Sequence, residues 1–399
     1  MTMDGFRYAL RGVAAYRALV ELPLMQRTLA LLDKLTTGDA AGAMEEYARL
    51  FYELHAQGDS GLGQWLYAQL LERESPYAGM IERGEANPVL EEAARRDIEV
   101  FSALSRLECG QIIDSIRTVE PEGLLPVMEN FPRWRAECPF DFASLTAYYR
   151  ANGAGIFARQ RAFLWENGRL FPVEEPDCPG PDEMLGYELQ REEVIANTRA
   201  MLEGRAVNNV LLYGDSGTGK SATVKSLLSI PGFERLRLIE VQKEGVADLP
   251  RLMRTLRGKA LKFILFIDDL AFDQDDKTYS VMKTILEGGL ERRPDNVAIY
   301  APYNRRHLVR QTFSDRAGDE VDALETIAEK TSLAERFGGR IPYLALNKAS
   351  FLDLVERMAE QDGVSMDRDK LRAEANKWEM RHPGRTPRTA KQFIASLHG

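Results

Sequence analysis

The sequence predicts an α/β protein: a parallel sheet flanked by helices, with an all-α region before it and a helical segment after it. Three observations predict this. Val210-Leu211-Leu212-Tyr213 is an apolar run that breaks into a glycine-rich loop and then a helical pattern. KFILFIDDL is a continuous apolar run ending at Asp268 and Asp269, as expected of a strand buried on both faces of a parallel sheet. Up to about residue 155, apolar residues instead recur three and four apart, as in LPLMQRTLALLDKL and AMEEYARLFYELH, the spacing of a helix face.

The helical region is punctuated at Thr36-Thr37-Gly38-Asp39, at Gly58-Asp59-Ser60-Gly61 and at Asn87-Pro88, each with turn or capping chemistry. It shows no clean internal period and reads as a packed docking module for a protein partner. Next, AFLWE-NG-RLFPV places two short apolar runs around Asn167-Gly168, the strongest local signal for a tight hairpin. The segment EEPDCPGPDE then reads as an extended linker. The expected divisions are 1–155 (helical), 156–182 (hairpin and linker), 183–348 (α/β) and 349–399 (helical).

The α/β part carries the chemistry. Gly214-Asp215-Ser216-Gly217-Thr218-Gly219-Lys220-Ser221, with Ala222 opening the helix behind it, matches G-x-x-x-x-G-K-[ST] in full. Glycines let backbone N–H groups converge on a phosphate, and the helix start adds partial positive charge. The lysine reaches the β- and γ-phosphates, and the serine hydroxyl binds Mg²⁺. This pattern between a strand and a helix points to a nucleoside triphosphate held with Mg²⁺. Before it, Leu185-Gly186-Tyr187 leads into the helix LQREEVIANTRAMLEG. Gly186 would permit close backbone approach to a base and Tyr187 would offer it an apolar surface. The alternative is a plain loop-to-helix junction.

After the loop, LRLIEV reads as a strand and DLPRLMRTLRG as a helix. Strand-end carboxylates about fifty residues beyond such a loop meet the bound metal, which assigns Asp268 to Mg²⁺ and Asp269 to the attacking water. The competing role for the pair is capping the next helix. The acidic run holding Asp273, Asp275 and Asp276 lacks calcium-loop spacing and suits a helix start. In NVAIYAPYNRRHL a strand ends at Asn304, placed to reach between the γ-phosphate and water, or else a turn residue. Arg336, between a helix and the next strand, is a planar, permanently charged donor able to reach a neighbouring subunit's phosphate. A surface role remains its alternative, and Arg340 competes with it. In GRTPRTAKQFIASL, Thr386 and Pro387 start a helix as N-cap and first residue. Arg388 then lies at the wrong end of the helix dipole, which an anion opposite it would explain; a solvated arginine is the other reading.

Composition bounds the class. With 52 basic and 61 acidic residues the net charge is -9, which argues against a global nucleic-acid surface but not against a local basic groove; Arg292, Arg293, Arg305 and Arg306 keep a nucleic-acid loader as the less favoured alternative. Three widely spaced cysteines read as reduced thiols of a cytoplasmic protein, and four scattered histidines form no zinc pattern. The charged N-terminus predicts no signal peptide, and no apolar run is long enough to span a bilayer.

Together, YGDSGTGKS, LIEVQKEG, FILFIDDLAF, IYAPYNRRHL, EKTSLAERFG and RTPRTAKQF resemble an AAA+ ATPase. More narrowly they resemble the bacterial AAA+ family filed as domain of unknown function number eight hundred and fifteen, over roughly Phe163 to the C-terminus. The resemblance implies an α/β P-loop AAA+ domain with a C-terminal helical lid, ATP binding and hydrolysis to ADP, and a homo-oligomeric ring, a hexamer being one size. It also implies that Asn304 is a sensor, Arg336 an arginine finger and Arg388 a lid sensor. One departure stands out. The family has Ala-Thr-Ser-Asn where this chain has Ala301-Pro302-Tyr303-Asn304, and a proline, lacking an amide donor, predicts that Asn304 is displaced.

Overall fold

The computed structural model describes residues 1–58, 61–119, 130–268, 277–287, 292–304, 334–382 and 384–398. The chain divides into two compact units, 1–159 and 160–399.

The first unit is helical: α1 (Met3–Arg11), α2 (Arg17–Val20), α3 (Pro23–Thr37), α4 (Ala40–Ala56), α5 (Leu62–Glu72), α6 (Pro76–Glu82), α7 (Pro88–Ser105), α8 (Cys109–Val119), α9 (Phe142–Asn152) and α10 (Ile156–Arg159). Capping residues set the boundaries. Gly38, with φ of 78°, ends α3, and the Asp39 carboxylate then accepts the Gly42 amide at 2.9 Å. Asn87 accepts from Leu90 ahead of Pro88, and Asp141 with Ser144 forms a capping box before α9. The apolar stripes meet in one core that includes Tyr47, Phe101 and Tyr149, with Tyr47 stacked on Trp134 at 4.8 Å. No helix among the described residues is long and apolar enough to cross a membrane.

The second unit is built on a seven-stranded sheet ordered β2-β1-β4-β5-β6-β3-β7. Its strands are β1 (Ala162–Glu166), β2 (Arg169–Val173), β3 (Val210–Gly214), β4 (Leu236–Val241), β5 (Lys262–Phe266), β6 (Val297–Asn304) and β7 (Gly339–Tyr343). Every pairing is parallel except that of β1 with β2. Asn167 and Gly168 both have positive φ (49° and 72°), as a type I′ hairpin turn requires. Because β1 also pairs with β4, the hairpin extends the sheet. The continuous apolar runs are explained by burial on both faces: Phe263, Ile264, Phe266 and Tyr300 are fully enclosed.

Prolines within strands sit where no ladder bond is lost. Backbone polar groups alternate sides along a strand. Arg161 accepts from Leu238 of β4, so Phe163 also turns toward β4, and Pro172, paired with Phe163, turns its nitrogen to the free edge. At the other edge, Gly339 donates to Asn209, the residue just before β3, so Pro342 faces outward as well. In β6, Tyr300 accepts from Ile267 as the last rung on the β5 side. Pro302, two residues on, faces that same side beyond the end of the ladder. The strand therefore continues to Asn304 in register with β3, pairing Leu212 with Pro302 and Gly214 with Asn304. Asn304 is therefore held in register with Gly214, and among the described residues no strand faces the Pro302 nitrogen.

Helices α11 (Glu188–Leu202), α12 (Lys220–Ser226), α13 (Leu249–Leu256) and α14 (Lys277–Glu287) accompany the sheet. Asp273, Asp275 and Asp276 lie outside the described residues. The C-terminal helices α15 (Lys348–Gln361), α16 (Arg368–Arg381) and α17 (Pro387–Ala395) enclose a small core of their own around Phe351, Val355, Leu371 and Phe393.

In the first unit, the Asp97 carboxylate on α7 is 2 % exposed. It accepts the amides of Ala14 and Tyr16 at 3.0 and 3.1 Å, pinning the α1–α2 turn. Burial pushes its pKa up, against the pull of these amides. Asp97→Ala would strand the buried Tyr16 amide, at ~1–3 kcal/mol, and remove the partner of the part-buried Ala14 amide, at ~1 kcal/mol. It should lower the unfolding free energy by about 2–4 kcal/mol in urea titration, whereas Asp97→Asn, which keeps an acceptor oxygen, should cost less than half of that.

Candidate nucleotide site

The C-terminal edge of the sheet gathers the predicted loop and its partners. Gly214 ends β3 and is in register with Asn304 of β6 on one side and Tyr343 of β7 on the other. The chain leaves β3 for β4, returns through β5 and β6, and then crosses to β7 on the far side of β3. This is a topological switch point, where open parallel sheets bind ligands. A Cβ on Gly214 would lie 2.1 Å from the Tyr343 carbonyl oxygen, so only glycine lets the two strands approach this closely. The loop is then held to β7. Asp215 donates its amide to Tyr343 O at 3.0 Å, and its carboxylate accepts from Ala345 N at 2.8 Å.

Lys220 is 5 % exposed, and its Nζ donates to the carbonyls of Asp215 and Gly214 at 2.6 and 3.3 Å. Ser221 Oγ donates to Asp268 Oδ1 at 2.8 Å, which joins the first turn of α12 to the segment leaving β5. Two hard oxygen donors at that spacing fit Mg²⁺, which takes one or two protein oxygens and completes its shell with water and phosphate. Among the described residues, no three His, Cys, Asp or Glu side chains cluster as a metal cage.

Gly186 has φ of 80°. A Cβ there would meet only Leu354, at an ordinary 3.6 Å, so the glycine is required by its backbone conformation and not by crowding. Its amide donates to Glu188 Oε1 at 3.1 Å and its carbonyl accepts from Arg191. Glu188 in turn pairs with Arg357 of α15 at 2.8 Å. Despite burial, that pairing and the amide bonds lower its pKa. Tyr187 follows with φ of 56°, a conformation costing ~1–2 kcal/mol for an L-residue. Its ring stacks on Tyr343 at 5.1 Å and its hydroxyl donates to Leu344 O. Burial pushes the Tyr187 hydroxyl pKa well up.

The lid is seated directly on the loop. Thr386 caps α17, and the Arg388 amide donates to Gly217 O at 3.2 Å. Between lid, loop and sheet lies a cavity of about 400 Å³. Gly186, Tyr187, the Ser216–Ala222 stretch, Asp268, Asn304 and Arg388 all line it. Asp269 lies outside the described residues. Sequence reasoning missed Arg191, Tyr343, Met358 and Lys391, which also line it. Of these, only Lys391 had a legible signal, three residues after Arg388 on one helix face.

Arg336 is not brought to this cavity. It precedes β7, at the opposite edge of the sheet, and forms an ion pair with Glu287 of α14. There it lines a separate cavity of about 490 Å³ with Arg292 and Arg293. Arg293 is committed to Asn209 Oδ1 and Val207 O, both at 2.8 Å, and burial lowers its pKa. Arg292 pairs with Asp295. Arg305 and Arg306 lie outside the described residues. Arg340 is exposed on β7.

A P-loop at the switch point of a parallel sheet, a strand-end aspartate on its serine and a helical lid seated over both define the AAA+ P-loop ATPase fold. The chain belongs to the family described as protein of unknown function (DUF815), whose sequence model matches residues 158–399. No curated protein matches it in sequence. Among solved structures it is similar to the Thermotoga maritima RuvB Holliday junction branch migration motor, with 17% identity over 54% of this chain and 63% of that one, TM-score 0.37. It is similar also to an arginine-to-alanine variant of T. maritima RuvB, with 16% identity over 54% and 62%, TM-score 0.36. A threonine-to-valine variant matches with 18% identity over 54% and 62%, TM-score 0.35. The chain spans less than two thirds of those structures, and likeness at this level bears on neither activity nor partner.

Mg·ATP at about a hundred times Kd should stabilise the protein by ~2.7 kcal/mol, read as a rise in Tm. Lys220→Ala should lose most of that rise. A folded Lys220→Ala protein that kept the full shift would refute the site.

Proposed function

We propose that this chain binds Mg·ATP, hydrolyses it to ADP and phosphate, and couples turnover to remodelling of a macromolecular partner held by the helical first unit. The observation that carries the reading is the 2.8 Å contact of Ser221 with Asp268 at the mouth of the P-loop cavity. Ser221 and Asp268 would hold Mg²⁺, which when bound neutralises charge on the β- and γ-phosphate oxygens. Lys220 turns from the loop carbonyls to the phosphates. Asp269 accepts a proton from the water whose oxygen bonds to the γ-phosphorus as the bond to the β-γ bridging oxygen breaks. Asn304 orients that water, supported by its place opposite Gly214 in an unbroken strand. Arg388 closes over the phosphates from the lid. Three free thiols support a reducing, cytoplasmic setting.

Arg336 acts on a neighbour's nucleotide, so the active form is a ring. This is supported by its place before β7, while its own P-loop lies at the far end of the adjoining β3. Five residues of strand, at about 3.3 Å each, separate the two edges.

Asp269→Asn should keep ATP affinity and lose at least tenfold in phosphate release, within the ~10²–10⁴ expected of a positioned base. Unchanged kcat would require another base. A wild-type chain that binds ATP without releasing phosphate would instead be a nucleotide-gated scaffold.

Arg336→Ala should bind ATP normally and turn over poorly, since fingers supplied in trans contribute ~10³–10⁵ in rate. Specific activity should rise with protein concentration. Mixing Arg336→Ala with Lys220→Ala, each inactive alone, should restore part of it, because some intact P-loops then face an intact arginine. Demonstrated mixed oligomers without recovered activity would exclude the in-trans role.

A further inference from the structure

The lid presents two cations to the nucleotide cavity, and only Arg388 has been given a role. Lys391 lies three residues further along α17 and lines the same cavity. Residues three apart stand on one helix face with their Cβ atoms ~5–6 Å apart. The helix cannot rotate that face away. Its first turn is fixed by the Thr386 cap and by the Arg388 amide on Gly217 O, and its opposite face is buried through Ala390, Phe393 and Ile394.

Among the described residues, neither Arg388 nor Lys391 has a carboxylate partner, whereas the outer lid arginines do: Arg368 and Arg372 both hold Glu356, and Arg357 holds Glu188. The described cavity lining carries four cations (Arg191, Lys220, Arg388 and Lys391) against two carboxylates (Glu183 and Asp268), leaving an excess of two positive charges. With Asp269, which the proposed reaction also places there, the balance still favours an anion such as a Mg·nucleoside triphosphate. Arg191 contributes little to it at the phosphates, because it is turned to the Gly186 carbonyl at the base side. Among the described cavity-lining cations, Lys391 is the remaining one carried by the lid.

From this we infer that Lys391 is a second phosphate-binding residue of the lid, engaging the polyphosphate chain alongside Arg388, so that lid closure senses how many phosphates are present. The inference rests on reading the cavity as a nucleotide site. An ammonium on a flexible stem suits this task, since it follows a phosphate through closure without demanding a planar two-point geometry.

Calorimetric titration of the full chain with Mg·ATP, Mg·ADP and adenosine tests it, using wild type, Lys391→Ala, Lys391→Arg and Lys220→Ala. Alanine favours helix at this exposed position, so the lid should fold. Lys391→Ala should weaken Mg·ATP at least tenfold, weaken Mg·ADP less, and leave adenosine unchanged. Lys391→Arg should recover most of the lost affinity. Equal weakening of all three ligands would mark Lys391 as structural and overturn the inference. So would Lys391→Ala binding Mg·ATP as wild type does while Lys220→Ala loses it, and in that case the nucleotide reading survives. A wild-type chain that binds no nucleotide would overturn both.

Discussion

β7 meets the end of β3 so closely that no side chain fits between Gly214 and the Tyr343 carbonyl, and the surroundings of the cavity are organised by that approach. The same carbonyl takes the Asp215 amide, which fixes where the loop turns over the strand. The Tyr343 ring supports Tyr187, and its hydroxyl reaches Thr223 on α12 at 3.0 Å. One residue later, Leu344 accepts from Tyr187 and the chain enters the lid. The Tyr187 side of the cavity, the loop after β3, the helix behind it and the approach to the lid therefore share one residue. Tyr343 is buried, and burial holds its hydroxyl neutral, with a pKa pushed up to about 12, so the link is a packed contact that ordinary pH does not alter.

Much of this was legible because local chemistry dictated it. The loop from Gly214 to Ser221 is a pattern whose spacing has few other uses. Asn167-Gly168 could hardly be anything but a hairpin turn, since both positions need positive φ. Thr386-Pro387 announced a helix start. What stayed hidden was long-range. Nothing near Tyr343 marks it as the meeting point of four elements, because its partners Tyr187, Asp215 and Thr223 lie more than a hundred residues away in sequence. Gly186 was legible as special, but its positive φ and the use of both its polar groups within the chain were not.

Pro302 is instructive in the other direction. Read alone, a proline near the end of a central strand argues for disruption. Three-dimensional context reverses that expectation, because β5 has already stopped at Phe266 and Tyr300. The family departure at this position thus leaves the strand end in place.

The outward-facing prolines of β2 and β7 bear on how such a molecule lives in company. An exposed strand edge is a template on which another chain can add itself without limit. Here each free edge among the described strands lacks a donor at one rung, Pro172 on one side and Pro342 on the other. A strand arriving at either edge finds no donor at that rung, so these two residues bias edge-to-edge encounters against endless growth. Where two copies do meet, each sheet then stays separate, and what joins them is side chains pressing on one another and not a shared ribbon of backbone.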